Sequence, residues 1–489
     1  MKKFLLAASC LLLAAAGAPA PGTMAMQTDG ADFVSRNEAD LSFNNRKLRI
    51  GGFNIPWLGL RVDAAEPGGM RLPTNFELND VLSTVFLMGG GYVRSVSLGV
   101  TAGCAECVVT ATGQVNPAAI ARIDHVLKLA RDKGIKLTIP LLGGAGPCPP
   151  DGPVDPVAGA ACGFARAYGK PDSAFFTDPQ LRAAFVHVVT GLLTHLNPET
   201  SIVWKDDPAI MAWENCDRCG IGNDPATVAN WTEYLGAAIK AVDTRHLYQN
   251  GAFAGRLALT PGNFLATPSV DIVADRFMPA PGSPADGFTA ANQAVAKTGR
   301  VYVINAYGWA PNSWRTVEDF QAFNDRLWEN RTVAGAFVQS LSGHAESGGY
   351  LRVPRGEDPV LYFPGAAADG MDAAAMLLRA RIVRHLSYHM LDYDIPGFGH
   401  VDPPSNVTAV RGRLTWRGAA GAASYSISRS TDVTLTGSWD VVCDKCVTDD
   451  KPFWQDPNPN PATTPTWYRM TSFNANGHTG IDTEPVRNK

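Results

Sequence analysis

Residues 204–220 read WKDDPAIMAWENCDRCG and are the most informative segment of the sequence. A polar turn, KDDP at residues 205–208, precedes the apolar run AIMAW at residues 209–213. The run ends abruptly in the polar residues ENCDR, numbered 214–218. This pattern is typical of a buried parallel strand that delivers polar groups to a site at its C-terminal end.

Similar apolar runs alternate with amphipathic stretches from about residue 48 onward. The alternation predicts a parallel sheet covered by helices, and eight such units close into a barrel. We therefore predict an α/β fold, a (β/α)8 TIM barrel over residues 45–398. A doubly wound open sheet is the alternative, which is disfavoured because no glycine-rich nucleotide-binding turn follows the first strand. The predicted strands cover residues 49–54, 92–96, 135–142, the run that contains Trp213, 246–250, 270–274, 301–306 and 334–341.

The segment at residues 204–220 closely resembles the fourth barrel strand of glycoside hydrolase family 5, especially its endo-β-1,4-mannanase branch. In that branch a K-D-D-P turn precedes a strand reading A-W-E, then two residues, then Asn-Glu. Other segments match in order: GFNIPW at 52–57, YVRS at 92–95, INAYGW at 304–309 and LSGH at 341–344. The resemblance spans about residues 48–401 and implies a retaining glycosidase, which uses two carboxyl groups about 5 Å apart.

The chain departs from the family at the reactive positions that the resemblance assigns. The acid/base glutamate corresponds to Arg218, and the nucleophilic glutamate of strand seven corresponds to Ala306. An arginine cannot donate a proton near neutral pH, and an alanine has no functional group. The adjacent asparagine, a histidine of strand six and a tryptophan of strand eight correspond to Asp217, Arg276 and Gln339. These changes predict absent or much reduced hydrolase activity.

Other carboxylates are candidate substitutes, because they are predicted near the rim where barrel active sites lie. Asp217 or Glu214 would supply the proton, with Glu346 or Asp275 opposite. The objection is geometric: a shift of one residue along an extended segment turns a side chain to the other face, and catalytic groups tolerate roughly 0.5 Å of misplacement. An active β-1,4-mannanase or related β-glycosidase is therefore the alternative function.

Binding of a β-linked polysaccharide or oligosaccharide is the expected role of the remaining cleft residues. Arg94 corresponds to the arginine that orients the family's nucleophile, and it also suits an ion pair with Glu214. Trp57, Tyr307 and Trp309 follow predicted strands, where they would stack on a sugar ring or pack at the rim. The predicted substrate-binding residues are Arg94, Trp57, Tyr307, Trp309, Arg276 and Gln339.

The N-terminus and the overall charge bear on location and partners. The sequence begins MKK, runs apolar over residues 4–16 and continues with small residues, which predicts a signal peptide over residues 1–25 and a secreted or periplasmic protein. No later segment is long and apolar enough to predict a membrane span. The formal net charge of −4 gives no sign of a nucleic-acid partner. We expect a monomer without a cofactor or metal.

Eight cysteines follow the predicted signal peptide, and an even count in an exported chain favours disulfides. Three pairs have C-x-x-C spacing, and two single cysteines remain to bridge a longer loop. The alternative is a four-thiolate zinc site formed by the first two C-x-x-C pairs, in a structural or metal-binding exported protein. The cysteines are Cys104, Cys107, Cys148, Cys162, Cys216, Cys219, Cys443 and Cys446.

A Pro/Gly-rich linker near residues 396–404 leads into short apolar runs with polar turns. These predict a small all-β sandwich over residues 403–486, which resembles the fibronectin type III-like modules of bacterial family members. The module is either a spacer or a carbohydrate-binding unit. Its candidate stacking residues are Trp416, Trp439, Trp454 and Trp467.

Overall fold

Eight strands among the described residues pair in parallel and close into a barrel, in which each strand lies beside the next one in the chain. The computed structural model describes residues 32–63, 69–144, 155–278, 286–309, 316–352, 359–368 and 371–489, so the predicted signal peptide lies outside it. The closed order confirms the predicted TIM barrel and excludes the open sheet. The strands are β1 (Ile50–Asn54), β2 (Tyr92–Arg94), β3 (Lys136–Pro140), β4 (Ile210–Glu214), β5 (Leu247–Asn250), β6 (Ile272–Phe277), β7 (Val301–Tyr307) and β8 (Val333–Val338).

Helices connect the barrel strands, and in the described ranges none of them is long and apolar enough to cross a membrane. A small antiparallel sheet of Ser35–Asn37, Asp40–Phe43 and Arg46–Leu48 precedes the barrel. The helices are α1 (Asn75–Leu87), α2 (Pro117–Asp132), α3 (Ala160–Ala167), α4 (Pro179–Leu193), α5 (Pro225–Val242), α6 (Gly262–Leu265), α7 (Thr289–Ala296), α8 (Val317–Glu329) and α9 (Ala373–Met390).

Capping residues explain where several helices begin. Helices α2, α4 and α5 each start with a proline, which needs no N–H partner there, after an Asn or Asp that caps the first turn. Helix α1 begins at Asn75, because Thr74 and Glu77 form a capping box before and within its first turn. Helix α2 ends before Gly134, whose positive φ of 67° suits a residue just past a helix end.

Strand β4, which leads into the candidate site, is buried along its whole length. The turn before it is held by Asp207, whose carboxylate accepts the N–H of Ala209 at 2.9 Å. Trp213 donates its indole N–H to Asp243 at 2.7 Å, on the side away from the barrel centre. Glu214, at the end of the strand, is fully buried and lies inside the barrel.

Antiparallel sheets follow the barrel at the C-terminus. One sheet has the order Ser405–Val410, Arg413–Arg417, Phe453–Gln455. The other has the order Asp440–Val447, Ala422–Ser430, Trp467–Asn474, Thr479–Asp482, with Val486–Arg487 beside Trp467–Asn474. Trp416 is buried in the core of this region, whereas Trp439 and Trp467 are half-buried beneath Arg469 and Arg487. The strands are β9 (Ser405–Val410), β10 (Arg413–Arg417), β11 (Ala422–Ser430), β12 (Asp440–Val447), β13 (Phe453–Gln455), β14 (Trp467–Asn474), β15 (Thr479–Asp482) and β16 (Val486–Arg487).

A buried imidazole joins the barrel to the C-terminal sheets. His344 Nδ1 lies 3.0 Å from Asp80 of helix α1, and its Nε2 lies 3.1 Å from Asp449, which follows β12. Asp449 also accepts hydrogen bonds from Trp416 and from the hydroxyl of Tyr425. The contact therefore consists of charged and hydrogen-bonded groups that are removed from water.

The C-x-x-C cysteines form local disulfides: Cys104–Cys107, Cys216–Cys219 and Cys443–Cys446. The alternative zinc site is therefore wrong, because its four sulfurs are consumed in two of these bonds. In the part of the chain that the structure describes, no group of His, Cys, Asp and Glu side chains is arranged to hold a metal. Cys162 is also disulfide-bonded, and Cys148 lies outside the described residues.

Candidate active site

A cavity of about 290 Å³ opens at the C-terminal ends of the barrel strands, where TIM-barrel active sites lie. Strand ends and the loops after them bring its walls together. Six of the residues singled out from the sequence or the resemblance line it: Trp57, Arg94, Asp217, Arg218, Arg276 and Gln339.

Arg94 and Glu214 form a buried ion pair beside this cavity. Arg94 Nε and Nη2 donate to the two carboxylate oxygens of Glu214 at 2.7 and 2.8 Å, in a bidentate geometry. Gln249 and Asn305 donate further hydrogen bonds to Glu214, at 2.8 and 3.2 Å. Gly251 has no side chain because a Cβ there would collide with this carboxylate. Glu214 is thus enclosed by donors and does not line the cavity.

Asp217 lines the cavity but is tied to guanidinium groups. Its Oδ1 accepts a hydrogen bond from Arg94 Nη2 at 2.9 Å, and its Oδ2 lies 3.5 Å from Arg218 Nε. Burial alone would raise the pKa of Asp217. The charges of Arg94, Arg218 and Arg276 outweigh burial and hold this pKa below its usual range. Asp217 is therefore a carboxylate anion near neutral pH.

The backbone after β4 fixes the position of Arg218. The Cys216–Cys219 disulfide encloses residues 217 and 218 in a four-residue loop. The N–H of Asp217 donates to the carbonyl of Leu142, and that of Arg218 donates to the carbonyl of Gly251. Arg218 adopts a positive φ of 60°, which is uncommon for a residue with a side chain. The loop thereby holds a guanidinium at the cavity wall.

Ala306, at the position that corresponds to the family's nucleophile, is buried and presents no carboxylate. It pairs with Arg276 across β6 and β7, and the register of these strands shifts between Asp275 and Arg276. Arg276 lines the cavity, whereas Ala306 does not. A methyl group and a neighbouring guanidinium therefore occupy this region.

Asp275 is enclosed by its own hydrogen bonds rather than directed into the cavity. It accepts the Tyr302 hydroxyl at 2.7 Å and the backbone N–H groups of Gly255 and Arg276, both at 2.8 Å. Burial raises its pKa. The structure does not bring Asp275 opposite Asp217 across the cavity.

Glu346 belongs to the contact between the barrel and the C-terminal sheets. It forms an ion pair with Arg417 of β10 and accepts a hydrogen bond from the hydroxyl of Thr74 at 2.9 Å. It does not line the cavity. Arg417 could not be predicted as the partner of Glu346, because the two residues are 71 positions apart in the chain.

The three aromatic candidates separate into two environments. Trp57 lines the cavity. Tyr307 is 1% exposed and donates its hydroxyl to Asn324 of helix α8 at 2.9 Å. Trp309 is 4% exposed and packs edge-on against Phe320 of the same helix. The structure therefore places Tyr307 and Trp309 in the outer packing layer and not at the cavity.

Sequence reasoning missed three charged residues of the cavity wall. Arg61, Arg352 and Asp155 line it, and all three come from segments outside the barrel strands. Asp155 Oδ1 accepts the N–H groups of Val157 and Ala158, each at 2.8 Å, so it caps its own loop. No strand-end pattern marks such loop residues in the sequence.

Comparisons with known proteins support the fold. No family model matches the chain. It is 29% identical over 238 residues to the putative mannan endo-1,4-β-mannosidase 4 of Arabidopsis thaliana. The aligned region covers 47% of this chain and 53% of that protein. It is 27% identical over 229 residues to mannan endo-1,4-β-mannosidase 1 of Oryza sativa subsp. japonica, which covers 45% and 49%. The chain thus spans about half the length of the curated relatives it matches.

Solved structures show the same architecture over more of the chain. The endo-β-1,4-mannanase of Thermotoga petrophila aligns with a TM-score of 0.58 and 16% identity, covering 91% of this chain and 99% of that one. A glycoside hydrolase family 5 mannosidase from Rhizomucor miehei aligns with a TM-score of 0.56 and 14% identity, covering 74% and 98%. The chain therefore has a mannanase-like (β/α)8 barrel fold, followed by antiparallel sheets.

Proposed function

We propose that this protein binds a β-linked saccharide at the C-terminal end of its mannanase-like barrel and hydrolyses it slowly or not at all. The observation that carries this proposal is the state of Asp217. It is the cavity carboxylate beside the acid/base position, and guanidinium groups hold it ionised. An ionised carboxylate has no proton to give to a leaving group.

The retaining mechanism needs a second carboxyl group about 5 Å from the first. Asp155 is the other carboxylate among the described residues of the cavity wall, and its Oδ1 is engaged by two backbone N–H groups of its own loop. Ala306 supplies no nucleophile. These observations favour binding without efficient cleavage.

The alternative, an active β-glycosidase with relocated carboxylates, is less well supported by the site. Glu214 is enclosed by donors, Asp275 is satisfied by three hydrogen bonds, and Glu346 is paired outside the cavity. None of these three groups lines the cavity. We therefore favour a binding protein, and turnover assays distinguish the two.

We expect the protein to act as an exported monomer. Disulfides persist in oxidising compartments such as the periplasm and the extracellular space. Three local disulfides in the described residues support this location. The signal peptide over residues 1–25 remains a prediction, which N-terminal sequencing of the mature protein would test.

The binding test uses Trp57, because it is the aromatic candidate that lines the cavity. Calorimetric titration with manno-oligosaccharides should show binding, and Trp57→Ala should weaken it about tenfold, equivalent to about 1.4 kcal/mol. Trp57→Phe keeps an aromatic face and should retain most of the affinity. Trp328→Ala, on helix α8 and away from the cavity, is the matched control. Absence of saccharide binding to the folded wild-type protein would overturn the proposal.

A further inference from the structure

Arginine dominates the charged groups of the cavity wall. Among the described residues, five arginines and two aspartates line the cavity. A site for a neutral sugar needs hydroxyl-binding groups of both kinds, donors and acceptors, whereas guanidinium groups supply donors alone. The five arginines are Arg61, Arg94, Arg218, Arg276 and Arg352.

Two of the carboxylates that pair with these arginines are fully buried, whereas two of the guanidinium groups are partly exposed. Glu77, which pairs with Arg61, and Glu214, which pairs with Arg94, have fully buried side chains. The side chains of Arg218 and Arg352 are 35% and 50% exposed. Glu77 and Glu214 therefore add no negative charge to the accessible surface of the cavity.

Two donors at this wall are without an acceptor in the described structure. Arg218 Nε and Trp57 Nε1 are buried and make no hydrogen bond, and Trp57 is only 3% exposed. Asp217 lies 3.5 Å from Arg218 Nε, too far for a normal hydrogen bond. A buried donor without a partner costs about 1–3 kcal/mol, so a ligand that brings acceptor oxygens is favoured.

Carboxylate is the ligand chemistry that matches this wall. It is an acceptor-only group, and the planar guanidinium fork binds it in a bidentate manner. The cavity, at about 290 Å³, lies near the small end of ligand pockets, roughly 300 Å³, which suits one sugar ring rather than a long chain.

We propose that the saccharide bound in this cavity carries a carboxylate, as a uronic acid unit of a β-linked oligosaccharide. The carboxylate lies against Arg218 and Arg276, and the ring lies beside Trp57. This assignment rests on the proposed saccharide binding and names its ligand class. It also gives Arg218 a role in place of the acid/base glutamate.

The test compares two trisaccharides that differ at C6 alone. Purified full-length protein is titrated calorimetrically with β-1,4-linked mannuronic acid trisaccharide and with β-1,4-linked mannotriose. At about 20 mM salt the acidic sugar should bind at least about tenfold more tightly. The preference should fall at about 1 M salt, where the screening length shrinks to about 3 Å.

Variants assign the preference to the named residues. Arg218→Gln and Arg276→Gln should each bring the two affinities to within about threefold, chiefly by weakening the binding of the acidic trisaccharide. Arg326→Gln, an exposed arginine of helix α8 outside the cavity, should leave both affinities unchanged. Thermal unfolding of each variant checks that the fold is intact.

The outcomes distinguish failure of the acidic-ligand inference from failure of the proposed saccharide-binding function. Equal affinity for both trisaccharides overturns the acidic ligand and leaves saccharide binding standing. Failure of both to bind overturns the saccharide-binding function itself. Displacement of the acidic sugar by free acetate or phosphate at the same concentration overturns the assignment to a sugar acid.

Discussion

At the residue scale, the charge of Arg94 determines what the site can do. Its guanidinium is shared between Glu214 and Asp217. Burial alone would lower the pKa of Arg94, but the two carboxylates outweigh burial and raise it, so Arg94 remains a cation. The same charge keeps Asp217 ionised. One arginine therefore both stabilises the strand ends and removes a proton donor from the cavity.

Removal of Arg94 should destabilise the barrel strongly. Arg94→Leu leaves the fully buried Glu214 without its counter-charge, and breaking a buried ion pair costs about 3–5 kcal/mol. Urea unfolding followed by tryptophan fluorescence measures the loss. Arg94→Leu combined with Glu214→Leu should recover part of it, because no buried charge is then unpaired. A single-variant loss of less than about 1 kcal/mol would contradict the ion-pair account.

At the scale of elements, the loop after β4 positions the charged wall. A disulfide closes it, backbone hydrogen bonds to Leu142 and Gly251 anchor it, and Arg218 holds a positive φ within it. The loop thus fixes the Arg218 guanidinium at the end of a barrel strand. This is the element on which the saccharide proposal depends.

Opening this loop should weaken ligand binding. Cys216→Ser with Cys219→Ser removes the closure of a four-residue loop, worth about 2 kcal/mol in the chain-entropy account, and lets Arg218 leave the wall. Calorimetry should show at least about tenfold weaker binding of the mannuronic acid trisaccharide. The matched control is Cys443→Ser with Cys446→Ser, which opens an equally short loop in the C-terminal sheets. Equal losses in both double variants would contradict a local role for the first loop.

The barrel and much of its cavity followed from the sequence for a shared reason. Parallel strands bring their C-terminal ends to one face, so strand positions together with the family resemblance predicted that Arg94, Asp217 and Arg276 lie near one another. The position of Tyr307 after a predicted strand did not indicate the direction of its side chain, because the pairing of β7 with β8 shifts register between Ile304 and Tyr307. That side chain consequently packs against helix α8.

Contacts between segments that are distant in the chain could not be predicted from the pattern of apolar and polar residues. Arg61 reaches the cavity from a two-residue strand outside the barrel and Arg352 from a loop, and no hydrophobic periodicity predicts the paths of these segments. Glu346 forms an ion pair with Arg417, which belongs to the C-terminal sheets. The position of a residue at a strand end predicts the face on which its side chain lies. It does not predict which charged residue, distant in the chain, will form an ion pair with it.

At the scale of the whole molecule, His344 links the barrel with the C-terminal sheets. Burial alone would lower the pKa of His344. The carboxylates of Asp80 and Asp449 outweigh burial and raise this pKa to about 10. The imidazolium therefore lies between two carboxylates from different parts of the chain, with Tyr350 stacked on its ring.

This link should weaken in alkali. Because the folded pKa of His344 lies above its ordinary value of 6.5, the link contributes fully below about pH 6.5 and is lost as pH rises through about 10. His344→Gln leaves two carboxylates without a counter-charge and should cost about 3–5 kcal/mol at about pH 6. Urea unfolding of wild type and variant at several pH values measures the difference.

The difference between wild type and His344→Gln should shrink steadily toward about pH 10, as the imidazolium loses its proton. His187→Gln, an exposed histidine of helix α4, controls for general effects of replacing histidine. A difference that stays constant from about pH 6 to pH 10 would show that His344 is not a charged link.

The most direct test of the whole account is a single-turnover experiment. The protein, in excess over end-labelled β-1,4-manno-oligosaccharide and over its uronic acid counterpart, is incubated overnight, and the label is resolved by chromatography. We predict that the bound oligosaccharide is recovered intact. Cleavage by the wild-type protein that disappears in Asp217→Asn would show that Asp217 donates a proton after all, and would contradict the account.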